Sequence, residues 1–209
     1  MKAKIALKSK SNYQRTLPVV MGKLLFVLGL IGFAASFTLS VEKVELIKNP
    51  NFTPICNISP LISCGSVMNT NQAEAFGFMN SFLGVAGFAV VTTIGAAILA
   101  GAIFKRWFWL GLQAGTVFGV GLISWLYYQS VFVIGALCPF CMVVWSVMIP
   151  IFWYVTLYNI RQKNIVLQGF WLKLSDFAQK HHGDILLAWF AIGIVIILIR
   201  FWYYWSTLL

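Results

Sequence analysis

Residues 76–104 read FGFMNSFLGVAGFAVVTTIGAAILAGAIF, and no charged side chain interrupts them before Lys105 and Arg106. A helix needs about 20 consecutive apolar residues to cross the hydrocarbon core of a bilayer, which is about 30 Å thick. This run is long enough to do so, and it is longer and more apolar than a helix of a soluble domain. The stretch therefore predicts an integral membrane protein built from helices.

The rest of the chain repeats this pattern. Four further apolar runs have the length of a membrane span, namely 19–41, 107–128, 139–158 and 185–205. The composition agrees, since 60% of the residues are hydrophobic and 10% are charged, against about 25% charged in soluble domains. We predict an all-α membrane protein in which the first four spans form a four-helix bundle. The fifth span, which ends on the aromatic sequence FWYYWS, is predicted as an additional transmembrane helix.

The basic residues predict how the spans are oriented. Most of the 15 Lys and Arg residues lie in or near the amino-terminal arm (1–18), at 105–106, or in the segment 159–183. Because positive residues are retained on the cytoplasmic side, these three segments are predicted to be cytoplasmic. The segments 42–75 and 129–137 and the carboxyl terminus then lie outside. The net charge of +10 is thus interpreted as a topology signal, not as a nucleic-acid surface.

The predicted division is a basic arm (1–18), a four-helix core (19–158) that includes the outer loop 42–75, a cytoplasmic linker (159–183) and the fifth helix (184–209). An alternative for the first span is a cleaved signal peptide, because it has a basic start and the small residues Ala34-Ala35-Ser36. The long basic region and long apolar run argue against cleavage. The outer loop stays outside in either case.

All four cysteines fall on the predicted outer side: Cys56, Cys64, Cys138 and Cys141. Disulfides form and persist in that compartment. Two structural disulfides would explain the four cysteines, and this interpretation stays open. A zinc site is disfavoured, because the separation of Cys56 and Cys64 exceeds the usual spacer between zinc ligands.

The sequence ALCPFCMVVW (136–145) favours redox chemistry. Pro139 suits the first position of a helix, so Cys138 is predicted to cap the fourth span. A sulfur at that position faces unpaired N–H groups and the positive end of the helix dipole, which lower its pKa. Cys141 lies one turn deeper. Closing so short a loop stabilises little, so the pair is interpreted as a dithiol placed where soluble thiols and a lipid-soluble quinone can both reach it.

Taken in order, these motifs resemble the vitamin K epoxide reductase family and its bacterial homologues. The resemblance covers residues 20–158 and rests on the cysteine pair of the first outer loop, on FGFMNSFLG (76–84) and on CPFC at the start of the fourth span. Members of the family oxidise thiols of partner proteins by reducing a quinone. The quinone-linked DsbB type has the reverse order, with its CxxC in the first outer loop.

The resemblance implies roles for the cysteines. Cys138 and Cys141 would form the active disulfide beside the quinone, and Cys141 would be the donor to the quinone ring. Cys56 and Cys64 would be the shuttle pair that receives electrons from a partner, and Cys64 would pass them to Cys138.

Two further residues are implied to contact the quinone, which would be ubiquinone or menaquinone. Asn80 would offer an amide hydrogen bond to a quinone carbonyl, although a polar residue that binds a neighbouring helix is the alternative. Trp145 stands where the family often has tyrosine, and it would either line the quinone site or pack as core. No metal is implied.

Bacterial relatives commonly carry a thioredoxin-like domain after the fifth span, whereas this chain ends at Leu209. The expected thiol partner is therefore a separate thioredoxin-fold protein of the DsbA type. The implied function is that of a quinone-dependent thiol-disulfide oxidoreductase of the inner (cytoplasmic) membrane that supports disulfide bond formation. The alternatives are a vitamin K epoxide or quinone reductase proper, a DsbB-type oxidase, and a non-catalytic membrane protein with structural disulfides.

Two other patterns carry structural predictions. Gly111, Gly115 and Gly119 recur every four residues in the third span, which predicts close approach of a neighbouring helix. The segment 165–180 mixes aromatic and aliphatic residues with Lys173 and Lys180, which is typical of a helix that lies on a membrane surface.

Overall fold

The computed structural model describes residues 2–49, 51–59 and 61–206, with residues 2–17 and 205 as backbone only. These residues form eight α-helices: α1 (Lys2–Lys48), α2 (Cys64–Met68), α3 (Asn80–Leu99), α4 (Arg106–Tyr128), α5 (Pro139–Arg161), α6 (Phe170–Lys180), α7 (His182–Arg200) and α8 (Trp202–Ser206). A 3-10 turn precedes α3 and a π-helical turn extends α4. Within the described residues β-structure is confined to one bridge, between Ile62 and Leu137. The all-α prediction is confirmed.

Five helical segments are long and apolar enough to cross a membrane: Pro18–Lys48, Asn80–Leu99, Arg106–Ile134, Pro139–Arg161 and His182–Arg200. They correspond to the five predicted spans, with different ends. The first continues past the apolar run to Lys48, because the charged residues that follow Val41 are good helix formers. The second is shorter than the apolar run, since Gly77 and Gly101 adopt positive φ on either side of it.

The bundle is built around α1, which packs against α3 and α5, while α5 also packs against α4. The contact between α1 and α3 is close. A Cβ added to Gly29 would lie 2.9 Å from the backbone nitrogen of Thr92, and one added to Gly95 would collide with the backbone of Phe26. The Ser40 hydroxyl also donates to the Ser81 hydroxyl at 2.9 Å. Small residues therefore allow α1 and α3 to approach closely, as is common for helices in membranes.

A buried polar cluster joins α4 to α5 at the end of the bundle that is predicted to be cytoplasmic. The Asn159 amide is fully buried and donates to the Trp109 carbonyl at 3.2 Å and to Gln113 Oε1 at 3.1 Å. Its Oδ1 accepts from Asn164 at 2.9 Å. All these groups are satisfied, so the cluster fixes the register of the two helices without leaving an unpaired polar group.

The last membrane-length helix, α7, lies outside the four-helix core. None of its residues is buried, and it is attached through hydrogen bonds to its carbonyl groups, from Tyr127 to Gly193 at 2.7 Å and from Trp153 to His182 at 3.0 Å. The preceding helix, α6, begins at Phe170 because Gly169 adopts positive φ. Its aromatic side chains Phe170, Trp171 and Phe177 are exposed. The membrane-surface position of α6 stays a prediction.

Candidate redox site

The outer loop is held against the start of α5 by backbone hydrogen bonds. The Ser63 N–H donates to the Leu137 carbonyl at 3.0 Å, and the Leu137 N–H donates to the Leu61 carbonyl at 2.8 Å. Cys64 follows directly after Ser63, and Cys138 follows directly after Leu137. This local pairing therefore places the two cysteines side by side.

The four cysteines form one cluster. Cys56 and Cys64 are joined by a disulfide, and Cys138 and Cys141 are free thiols. The Cys138 sulfur lies 3.1 Å from the Cys64 sulfur, and both residues are fully buried. Leu39 and Met68 pack around them. Cys64 is thus the member of the loop pair that contacts the CPFC motif, which is the geometry that a thiol-disulfide exchange between the pairs requires.

Cys138 is the N-cap of α5, as the sequence predicts, with Pro139 in the first turn. Its sulfur accepts the backbone N–H of Cys141 at 3.4 Å. The hydrogen bond from the Cys141 thiol, together with the N–H groups of Cys141 and Phe140, lowers the pKa of Cys138. Burial and the nearby Glu42 oppose this shift, and the net direction is downward. The lowered pKa favours the thiolate form of Cys138.

A lowered pKa means that the Cys138 thiolate persists at a pH at which an ordinary thiol is protonated. We expect its thiolate absorbance, taken as the difference between the wild type and Cys138→Ser, to titrate below about pH 8.5, the value for free cysteine. In Cys141→Ala the titration should move upward, because the hydrogen bond from the Cys141 thiol is lost. A Cys138 titration at or above that of free cysteine would contradict this electrostatic account.

A cavity of about 1130 Å³ lies beside the cysteine cluster, between α3, α4 and α5. Four of the six predicted site residues line it, namely Cys138, Cys141, Asn80 and Trp145. Its walls are mostly apolar and come from the helices. The cavity is as large as the pockets that hold small organic ligands.

Gly111 and Gly115 create part of this cavity, and the prediction that they mark a helix contact is wrong. A Cβ added to either would meet nothing within 4 Å, and both line the cavity. Only Gly119 has a close neighbour, the side chain of Met148. The reason is that α4 buries a different face, which carries Trp109 and Leu112.

Asn80 begins α3 and lines the cavity with an incompletely satisfied amide. Its Nδ2 donates to the Gln72 carbonyl at 2.7 Å, while its buried Oδ1 has no hydrogen-bond partner among the described residues. A buried polar atom without a partner is costly. The amide therefore has one N–H and one acceptor oxygen to offer to a ligand.

Trp145 is buried and packs edge-on against Tyr127, with the ring centroids 5.0 Å apart.

Two charged residues of the site were not found from the sequence. Lys43 donates to the Met68 carbonyl at 2.7 Å and pairs with Glu74 at 3.2 Å, which ties the outer loop to α1. Glu42 is buried beside the loop disulfide. The sequence does contain a signal that could have identified them: both residues directly follow the first apolar run and begin the segment that carries Cys56 and Cys64.

Five apolar helices, with a buried disulfide in contact with a free dithiol, define a multi-pass membrane redox protein. The model of the vitamin K epoxide reductase family matches residues 23–156, a range that contains the four cysteines, Asn80 and Trp145. The chain belongs to this family. It is an oxidoreductase of a family linked with quinone chemistry and thioredoxin-like partners. A search of curated proteins finds no match.

Proposed function

We propose that the protein oxidises the thiols of a separate thioredoxin-fold protein and passes the electrons to a membrane quinone. The observation that supports this most directly is the 3.1 Å contact between the sulfurs of Cys64 and Cys138. On one side of this contact is the disulfide of the outer loop. On the other is Cys141, which lines the apolar cavity. The sulfurs thus form a continuous route from the loop to the cavity.

The proposed route consists of disulfide exchanges. A partner dithiol reduces Cys56–Cys64 and leaves as a disulfide, which transfers two electrons to the loop sulfurs and releases the two thiol protons of the partner. The Cys64 thiolate then attacks Cys138 of an oxidised Cys138–Cys141 pair and releases Cys141. Attack of Cys56 on Cys64 restores the loop disulfide and releases Cys138. The described state, with the loop pair oxidised and the CPFC pair reduced, corresponds to the end of this transfer.

The residues of the cavity fit a quinone. Trp145 and the apolar side chains of α3 and α4 suit a flat apolar ring, and Asn80 offers hydrogen-bonding groups at the cavity wall. A bound quinone supplies an acceptor for two electrons and two protons. Cys141 is the residue that we assign to deliver the electrons, because it lies one turn deeper than Cys138 on α5.

We propose that the amino terminus and the ends of α4 and α5 that carry Arg106 and Arg161 face the cytoplasm, as the charge distribution indicates. The cysteine cluster then faces the oxidising side of the inner membrane. The side chains of the basic arm (1–18) lie outside the described residues, apart from Pro18. In this orientation the outer loop that carries the disulfide faces the compartment of a soluble partner.

Thiol trapping in cells distinguishes a working relay from structural disulfides. Alkylation of intact cells followed by mass analysis should show both cysteine pairs in a mixture of reduced and oxidised states. Blocking quinone reoxidation should shift the mixture towards reduced thiols. Cysteines that stay fully oxidised under both conditions would favour the non-catalytic alternative.

Replacing Asn80 with leucine should weaken quinone binding. We expect the KM for a soluble quinone to rise about tenfold, the effect of losing a hydrogen bond worth about 1.4 kcal/mol. Exchange between a partner and the loop disulfide should be unchanged, since Asn80 does not contact the sulfurs. Steady-state kinetics with varied quinone measures the first effect, and quinone-free reduction of the loop by the partner measures the second. An unchanged KM would contradict the role of Asn80.

Filling the cavity from α4 tests its role independently. We expect Gly115→Leu to raise the KM for quinone at least about tenfold, because the new side chain occupies space where a Cβ now meets nothing within 4 Å. Gly121→Leu is the matched control, since Gly121 lies on the same helix, also has open space and does not line the cavity. Equal KM values for the two variants would show that quinone binds elsewhere.

A further inference from the structure

A carboxylate lies inside the cysteine cluster. Glu42, on α1, is buried, with 4% of its surface exposed. Its Oε2 lies 3.4 Å from the Cys56 sulfur, and its Oε1 accepts the N–H of Ile55 at 3.2 Å. A carboxylate oxygen of Glu42 and the sulfurs of Cys56 and Cys64 all lie within 4.8 Å of one another. The carboxylate is therefore in contact with one sulfur of the loop disulfide.

This carboxylate has no balancing cation among the described residues. Lys43, its neighbour in sequence, is engaged by the Met68 carbonyl and Glu74, and Glu45 pairs with Lys48. Cys138 is a further titratable group near Glu42, and the charge of Glu42 opposes its ionisation. Burying an unpaired carboxylate is costly. A carboxylate in this position can accept a proton from a neighbouring thiol, which would explain why it is buried there.

We propose that Glu42 is a catalytic residue of the relay, the group that accepts and returns the proton of Cys56. The inference rests on the proposed function, because it concerns the step in which Cys56 attacks the Cys64–Cys138 disulfide. Only a thiolate can make that attack. Glu42 takes the proton from the Cys56 thiol, the Cys56–Cys64 bond forms, and the Cys64–Cys138 bond breaks with its electron pair on Cys138.

The proton then returns in the next cycle. When a partner thiolate attacks Cys64 and forms a mixed disulfide with it, Cys56 departs as a thiolate and takes the proton from the Glu42 carboxylic acid. Glu42 therefore has no net change in protonation over one turnover. Cys64 needs no such group, since attack of the second partner thiol on the mixed disulfide releases Cys64 as a thiolate, which then attacks Cys138.

Exchange within the chain can be measured without quinone or partner. In a Cys141→Ala background three sulfurs share one disulfide, and they interconvert between the Cys56–Cys64 and Cys64–Cys138 pairings. A pH jump, acid quenching at timed intervals, alkylation and peptide mass analysis give the rate of this interconversion. The rate tests Glu42 even if the chain were to use no quinone.

Glu42→Gln is the informative variant, because the amide oxygen can still accept the Ile55 N–H while the base is lost. At neutral pH we expect the interconversion to slow about 100-fold, as for loss of a general base. The deficit should shrink towards alkaline pH, where hydroxide can take the thiol proton in place of a protein base. Glu42→Asp should recover part of the rate at neutral pH. Glu45→Gln, which alters a more exposed carboxylate of the same helix, should match the parent.

Two results would overturn the inference: a Glu42→Gln rate and pH profile equal to those of the parent, or a deficit of the same size at every pH. The second result would assign Glu42 a purely structural role in positioning the loop. Failure of the proposed function looks different, since wild-type protein would then consume no quinone while the Cys141→Ala exchange still showed its dependence on Glu42.

Discussion

With Cys56 and Cys141 both replaced by alanine, the chain is expected to form a Cys64–Cys138 disulfide rapidly under mild oxidation. The reason is the 3.1 Å contact between these two sulfurs, which needs no rearrangement of the loop. The backbone pairing of Leu61 and Ser63 with Leu137 holds this contact in place. The crosslink is measured by alkylation followed by non-reducing peptide mass analysis.

The matched control is Cys64→Ala with Cys141→Ala, which leaves Cys56 and Cys138 as the only pair. The contacts of the Cys56 sulfur are with Cys64 and Glu42, so this pair should crosslink at least about tenfold more slowly. Both variants should have lost turnover, because each step of the relay needs two sulfurs in line. Equal crosslinking by the two variants would show that Cys64 is not the specific relay cysteine.

Replacing Cys141 alone should abolish quinone reduction. Cys141 lines the cavity, whereas Cys64 is buried outside it, so the variant keeps the loop exchange and loses the sulfur assigned to deliver electrons. We expect a loss of at least about 1,000-fold in the rate of quinone consumption, in the range seen when an essential nucleophile is removed. Stopped-flow absorbance of the quinone, with reduced partner in excess, measures this rate.

Ser146→Ala is the control for this variant, because Ser146 lies on the same helix, is exposed and does not line the cavity. It should leave the rate unchanged. Sustained oxidation of the partner by Cys141→Ala, at a rate comparable with that of Ser146→Ala, would contradict the role of Cys141 as the electron donor to quinone.

The helices could be predicted because their signals are local. An apolar run of membrane length forces its backbone to form hydrogen bonds within the segment, so each of the five runs is a helix. The N-cap at Cys138 was also predictable, since Pro139 favours the first helical turn. The helix ends were less predictable. Residues 42–48 continue α1 although four of the seven are charged, because helix formation does not require an apolar sequence.

The packing of the bundle could not be read from the glycines. The stripe at Gly111 and Gly115 was interpreted as a contact surface, whereas α4 buries another face and these glycines line the cavity. The close contact lies between α1 and α3, at Gly29 and Gly95. The spacing of the glycines shows that one face of the helix carries small residues. It does not show whether a neighbouring helix or a ligand fills the space beside them.

The geometry of the site depends on contacts between residues far apart in the sequence. The bridge between Ile62 and Leu137 joins two loops that carry no strand pattern, and without it Cys64 and Cys138 need not meet. Glu42 becomes buried only because the loop folds back over α1. From the sequence it was one of several charges beyond an apolar run, and such charges are usually solvated.

The most direct test of the central claim is the stoichiometry of the coupled reaction in purified wild-type protein. A reduced thioredoxin-fold protein with one CxxC pair is mixed with a soluble quinone and the chain, and quinone absorbance and free thiols are followed together without oxygen. The proposed function predicts one quinone reduced for each partner disulfide formed. Partner oxidation without loss of quinone, or no oxidation at all, would contradict it.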